Sequence, residues 1–124
     1  MLGSAICVFN SNNNFIIENI LREDGRTNYN WSDLIDRTSG KLQKPISETI
    51  TKKSGPKIAM LFNELVLLRN RIIHSFQITD ENGEQTLATK DRNNIQYRIT
   101  EDFLLKFIKK NEELSSELHK FRGY

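Results

Sequence analysis

This sequence of 124 residues has a single cysteine, no long apolar run and little excess of charge of either sign. Its single cysteine, Cys7, cannot form an internal disulfide, which excludes a disulfide-stapled secreted fold and a zinc site built from cysteines. No apolar run approaches the ~20 residues that a membrane-spanning helix needs. The first residues also lack the charged region of a secretory signal. We therefore expect a cytoplasmic protein without membrane contact.

The charge balance is almost even, with 18 basic and 16 acidic residues and a net charge of +2. This balance permits contact with a polyanion, whereas a dedicated DNA clamp is normally more one-sided. A chain of this length suffices for one domain with a modest core, so residues 1–124 are expected to form a single domain. No metal-ligand spacing and no dinucleotide fingerprint is present, and we expect neither a metal nor a cofactor.

Apolar periodicity and capping residues predict an all-α fold, a small up-and-down helical bundle. The predicted helices are one long or two short helices ending before Asp24, a brief helix capped by Asn30 or Ser32, a turn or two over 45–55, a long helix over 56–76, and a last helix capped by Thr100. The segment between the last two helices loses this periodicity. There we expect a polar loop or a short hairpin in which 85–90 pairs with 95–99.

The long helix carries polar residues in an apolar setting, in the stretch LLRNRIIHSF from Leu67 to Phe76. At ~100° per residue, Arg69 projects from the middle of the apolar face, a costly position for a charge unless it has a partner. Asn63, Asn70 and His74 form a polar strip on another flank, and Asn70 and His74 are one turn apart.

Met60, Val66 and Leu67 flank or interrupt this polar strip, so the helix is apolar on nearly every side. Such a helix is buried on nearly every side. The remainder of so small a chain can cover one side only. A second subunit in a twofold dimer is the commonest way to cover the other. We therefore expect a homodimer in which two copies of the polar strip face each other.

The run Arg69-Asn70-Arg71-Ile72-Ile73-His74 resembles the Arg-Asn-x-x-x-His motif of HEPN-domain ribonucleases, which are helical toxins and defence proteins. The resemblance covers six residues closely, and the order of predicted helices agrees over most of the chain. It implies a metal-independent endoribonuclease with RNA as substrate and an active cleft assembled across a homodimer. It also implies a biological setting, either the toxin of a toxin-antitoxin pair with an antitoxin protein as partner, or a phage-defence effector.

The implied chemistry suits these residue types. Cleavage of RNA through its own 2′-hydroxyl needs a proton acceptor near neutral pH, and His74 would be that base or the acid for the leaving 5′-oxygen. Arg69 would stabilise the charge that gathers on the phosphorane. Asn70 would orient the imidazole or hold a phosphate oxygen. These three residues are the predicted catalytic set.

One angle conflicts with this set, because Arg69 and His74 diverge by ~140° on an ideal helix. The arginine could curl around the helix, the helix could distort, or the second subunit could supply the partner. Arg71, ~60° from His74, is an alternative phosphate-binding arginine. Glu64 is a candidate acidic partner for Arg71 and otherwise a solvated acid.

A different class of function also fits these residues. The arginine and histidine could be structural residues of a non-catalytic helical module that acts as a binding or scaffold protein, through dimerisation or a protein partner. Trp31 is expected to anchor a loop, although an exposed tryptophan could stack on a nucleic-acid base.

Overall fold

A computed structural model describes residues 2–25, 28–37, 39–91 and 93–123. The chain begins with one long helix, α1. Three short helices and a single 3-10 turn, Ser39–Leu42, then lead into the long helix α5, and the chain closes with the long helix α6. The helices are α1 Leu2–Asp24, α2 Trp31–Asp36, α3 Gln43–Glu48, α4 Ile50–Ser54, α5 Lys57–Ile73 and α6 Glu101–Arg122.

Side-chain caps fix two of these helices where the sequence predicted them. The Asn30 side chain accepts a hydrogen bond from the Asp33 backbone N–H at 2.8 Å, at the start of α2. The Thr100 hydroxyl accepts one from the Phe103 N–H at 3.1 Å, at the start of α6. Both bonds satisfy backbone donors that a helix start otherwise leaves unpaired. The prediction of a Thr100 cap is confirmed, and of the two caps left open for α2 the structure has Asn30 rather than Ser32.

The three long helices pack around a common apolar core. Contacts between α1 and α6 join Phe9 to Phe107 and Asn12 to Asn111, so the two helices run parallel. Helix α5 runs antiparallel to α6, because its first residue, Lys57, pairs with Glu117 near the end of α6. The end of α5 therefore lies beside the first half of α1.

A polar pair is buried between the two parallel helices. The Asn12 side-chain amide donates to the side-chain oxygen of Asn111 at 3.1 Å and to its backbone oxygen at 2.8 Å. Both residues are almost inaccessible to solvent. Because unpaired amides are costly in an apolar core, the pair favours this one register of α1 against α6.

The prediction of an all-α fold is wrong, because residues between α5 and α6 form a three-stranded antiparallel sheet. The strands are β1 Phe76–Thr79, β2 Gln85–Lys90 and β3 Gln96–Arg98, and β2 lies in the middle. The β2–β3 hairpin matches the hairpin alternative of the sequence analysis. Strand β1 was missed, because its first residue was assigned to the end of the long helix.

Turn chemistry and packing explain this strand. The Asp80 carboxylate accepts hydrogen bonds from the Asn82 and Glu84 N–H groups, and Gly83 adopts a positive φ of 78° that glycine tolerates best. The resulting tight turn pairs β1 with β2. Leu87 and Tyr97 of the sheet pack on the helical core. The turn and the pairing with β2 thus hold β1, whose own residues remain largely exposed. Within the described residues, no helix has both the length and the apolar character to cross a membrane.

Candidate active site at the end of helix α5

The predicted motif lies where α5 ends. Asn70 and Arg71 lie in the last turn of the helix, Arg69 directly precedes them, and His74 is the residue that caps the helix. The His74 backbone N–H donates to the Asn70 carbonyl at 3.0 Å, and strand β1 starts two residues later. The helix thus ends three residues earlier than predicted. His74 consequently lies on the irregular backbone between a helix and a strand.

Arg69 is half-buried and faces the core. Its guanidinium carbon lies 5.4 Å from the centre of the Phe9 ring, in a cation–π contact with α1. Phe9 in turn stacks on Phe62 and Phe107, each with a centroid distance of 6.0 Å. The ring face attracts the cation, and the aliphatic stem of the arginine covers apolar surface. This contact accounts for a charge on the apolar side of the helix.

Arg71 reaches the sheet instead. Its guanidinium donates a hydrogen bond to the backbone carbonyl of Lys90, at the end of β2. Asn70 and Arg71 together border a cavity of about 360 Å³ between α5 and the β2–β3 hairpin. Its lining residues are Leu67, Leu68, Asn70, Arg71, Asp91, Asn93 and Tyr97. The structure thus brings two motif residues together with side chains of the hairpin.

Tyr97 contributes a phenol to this cavity. Burial raises the pKa of Tyr97 above its ordinary value, while the nearby Arg71 cation opposes that rise. The phenol is therefore a neutral hydrogen-bond donor at physiological pH. Asp91 holds the adjoining turn, because its carboxylate accepts from the Asn93 and Ile95 N–H groups at 2.9 and 3.0 Å.

His74 is exposed at the end of α5. Among the described residues, none forms a hydrogen bond or ion pair with its imidazole ring. The ring is also not part of the lining of the cavity beside Arg71. Within one chain, the structure therefore separates three positions: Arg69 on the core, Asn70 and Arg71 at the cavity, and His74 on the surface.

Glu64 does not pair with Arg71, although the sequence left that pairing open. Its carboxylate lies 2.6 Å from the Lys110 ammonium group of α6. Both side chains are substantially exposed, 51% for Glu64 and 40% for Lys110, so the pair adds little to stability. Glu64 links α5 to α6 rather than supporting the motif.

One face of α5 combines exposed apolar residues with the motif. Met60 and Leu67 are 62% and 40% exposed, and they lie fourteen and seven residues before His74 on the same side of the helix. Val66, in contrast, is buried in the core. Exposed polar residues, Asn63 and Glu64, lie between Met60 and Leu67, so the predicted burial of α5 on nearly every side is not seen within one chain. The second apolar side is not covered by the described part of this chain.

Sequence reasoning missed Asp91, Asn93 and Tyr97 as neighbours of the motif. They follow the motif by about twenty residues in the chain, and only the antiparallel pairing of β2 with β3 brings them back to α5. The one usable signal was the predicted hairpin, whose turn and second strand contain all three.

Within the described residues, no group of three or more histidine, cysteine, aspartate or glutamate side chains is arranged to hold a metal ion. Comparison of the chain with known protein families, curated proteins and solved structures gives no match.

Proposed function

We propose that this chain is a metal-independent endoribonuclease of the HEPN type, acting in the cytoplasm as a homodimer. The observation that carries the proposal is the α5 face on which exposed Met60 and Leu67 precede an exposed His74, while Asn70 and Arg71 of the same helix end border a cavity. Burying Met60 and Leu67 against a second copy would bring two such sets of polar residues close together.

The proposed reaction is a transesterification that releases a 5′-hydroxyl end. The 2′-oxygen of the substrate attacks the adjacent phosphorus as its proton passes to a base, and the bond from phosphorus to the 5′-oxygen breaks as that oxygen gains a proton. The products are a 2′,3′-cyclic phosphate and a 5′-hydroxyl. His74 of one subunit would serve as base or acid, because imidazole titrates near neutral pH.

Arg71 is the better candidate for the phosphate-binding arginine. Arg69 is engaged with the Phe9 ring, whereas Arg71 and Asn70 border the cavity. A guanidinium and an amide there would donate hydrogen bonds to the non-bridging phosphate oxygens, where negative charge grows in the transition state. In this proposal, Arg69 supports the helix that carries the other residues.

The proposed biological setting is a toxin held inactive by an antitoxin protein, or a phage-defence effector. In either setting, expression of the active protein slows growth of the host cell, and a variant without His74 relieves the effect. Growth in liquid culture after induction measures this directly.

A purified protein gives the sharper test. We expect His74→Ala to lower cleavage of a single-stranded RNA by ~10²-fold or more, the usual contribution of a general acid or base. The exposed β1 residue Gln77 provides a neighbouring control, and Gln77→Ala should cleave normally. Equal cleavage by wild-type protein and His74→Ala would exclude His74 from the reaction.

A non-catalytic binding or scaffold module is the second candidate. The specific observation in its favour is that both arginines have partners within the chain, Phe9 for Arg69 and the Lys90 carbonyl for Arg71. A dimeric protein that neither cleaves RNA nor slows growth would select this candidate.

A further inference from the structure

A second polar depression lies between α1 and α6. It consists of two cavities of about 700 and about 530 Å³, which share Glu18 and Arg122 as lining residues. The first cavity extends to Arg22 and Trp31, and the second extends along α1 to Asn14 and Ser11. We refer to the surface formed by these six residues as the α1–α6 groove. Between Ser11 and Arg22 the helix rises by about 16 Å.

The groove faces away from the candidate active site. Helix α6 contacts α5 through Lys110 and Glu117. The groove-lining residue Ser115 lies roughly 140° around the helix from Lys110, and Arg122 lies roughly 120° from it. The groove also extends to the end of the bundle where α5 begins, whereas His74 lies where α5 ends. The two sites are therefore physically separate.

Trp31 gives this groove an aromatic platform. It is the first residue of α2 and is 42% exposed, so it does not act as the buried loop anchor that the sequence suggested. The Asn30 cap fixes the backbone beside it. Tyr29 forms an adjoining wall, with its hydroxyl group donating to the Glu48 carboxylate. An indole face of this kind stacks on nucleic-acid bases without regard to their sequence.

Two arginines supply positive charge next to Trp31. Arg22 is exposed in the last turn of α1, and its guanidinium lies 3.4 Å from the backbone oxygen of Arg122 in α6. The carboxyl ends of both helices carry partial negative charge, which offsets part of this positive charge. Affinity for phosphate is consequently modest, and stacking on Trp31 is needed to hold a ligand.

Glu18 lies in the middle of the groove, 4.0 Å from the Arg122 guanidinium. A carboxylate repels phosphate but accepts hydrogen bonds from the amino groups of nucleobases. The neutral side chains of Asn14 and Ser11 continue the groove beyond it. The groove thus combines an aromatic platform with two cations and a carboxylate that can accept hydrogen bonds from base N–H groups. This combination matches an extended nucleic-acid strand with unpaired bases.

We propose that the α1–α6 groove binds a short stretch of single-stranded RNA, with one base stacked on Trp31 and phosphates on Arg22 and Arg122. The choice of RNA rests on the proposed function. The groove would hold the substrate on the side of the bundle away from the scissile bond. A duplex has no unstacked base for Trp31, so it should bind more weakly.

The test uses full-length His74→Ala protein, which binds RNA without cutting it. Trp31 is the only tryptophan, so its fluorescence reports directly on this groove. Titration with a single-stranded RNA hexamer should quench that fluorescence. Binding of a dye-labelled hexamer, followed by anisotropy, should weaken ~5- to 100-fold in Trp31→Ala, the usual range for one stacked base. Trp31→Phe keeps a ring and should lose less.

The salt dependence of RNA affinity distinguishes a direct phosphate contact from the overall positive charge of the protein. Each phosphate contact to a single strand contributes about 0.7 to the slope of log affinity against log salt, and Arg22→Gln should reduce the slope by about that amount. Arg98→Gln removes the same charge from β3, where Arg98 pairs with Glu81, and should leave the slope unchanged. Absence of quenching, or equal slopes for Arg22→Gln and Arg98→Gln, would overturn the proposal. Binding without any cleavage by the wild-type protein would keep the groove and reject the nuclease.

Discussion

The guanidinium group of Arg69 lies over the ring of Phe9, 5.4 Å from its centre, and joins α5 to α1 in the core. This contact gives the most polar residue on the apolar side of α5 a structural partner. It also shows that Arg69 and Arg71 have different partners. The sequence alone left open which of the two would bind phosphate.

We expect Arg69→Met to lower the free energy of unfolding by about 0.5–2 kcal/mol, because it removes the cation but keeps an aliphatic stem over Phe9. Arg69→Ala should cost more, since the stem is lost too. Urea unfolding followed by circular dichroism measures both. An Arg69→Ala protein as stable as the wild type would contradict the contact.

Arg71→Gln should lower RNA cleavage strongly and stability only slightly, the opposite of Arg69→Met. Its hydrogen bond to the Lys90 carbonyl is at the surface, so the stability loss should remain under about 1 kcal/mol. RNA cleavage, in contrast, should fall by ~10²-fold or more, as for other groups that bind charge in a transition state. Comparison with Arg69→Met, at a temperature where both are folded, decides which arginine serves the reaction. Normal cleavage by Arg71→Gln would remove it from the site.

The exposed α5 face predicts a dimer that one charge can disrupt. Leu67→Lys should yield a monomer of about 14.5 kDa in light scattering at micromolar concentration, while the wild type should have twice that mass. Leu105 of α6 is equally exposed, 41% against 40%, and Leu105→Lys is the matched control. A monomeric wild-type protein would undermine the composite active site.

The buried amides of Asn12 and Asn111 should show coupled energetics. Asn111→Ala leaves the Asn12 side chain without its side-chain acceptor, and we expect a loss of about 1–3 kcal/mol in the free energy of unfolding. Replacing both residues by leucine should cost less than Asn12→Leu and Asn111→Leu added together. A double-mutant cycle from urea unfolding tests this, and strict additivity would exclude the coupling.

The raised pKa of Tyr29 predicts a loss of stability at high pH. The hydrogen bond to Glu48, together with burial, raises the pKa of Tyr29 to about 12 from 10.0. The folded state therefore retains a proton that the unfolded state releases. This contribution is complete below pH 10 and is lost as the pH rises towards about 12. Urea midpoints at several alkaline pH values should fall less steeply for Tyr29→Phe than for the wild type. Identical slopes would contradict the shift.

Several features follow from the sequence alone because they depend on neighbouring residues. Asn30 and Thr100 act as caps because their side chains accept hydrogen bonds from backbone N–H groups in the first turn of the helix that follows each of them. The β2–β3 hairpin and the apolar second side of α5 likewise follow from local patterns. The burial of Asn12 against Asn111 does not, because the two residues are far apart in the chain and a lone asparagine is ordinarily a surface residue.

The tertiary structure decided what the local patterns left open. Helix α5 ends three residues before the predicted end and β1 begins at Phe76, because a tight turn at Asp80 pairs β1 with β2, which rests on the core. The same packing directs Arg69 to Phe9 and Arg71 to the hairpin. The sequence by itself determined which polar residues lie at the end of α5. Only the tertiary contacts decided which of them are engaged and which remain exposed, since partners distant in the chain supply those contacts.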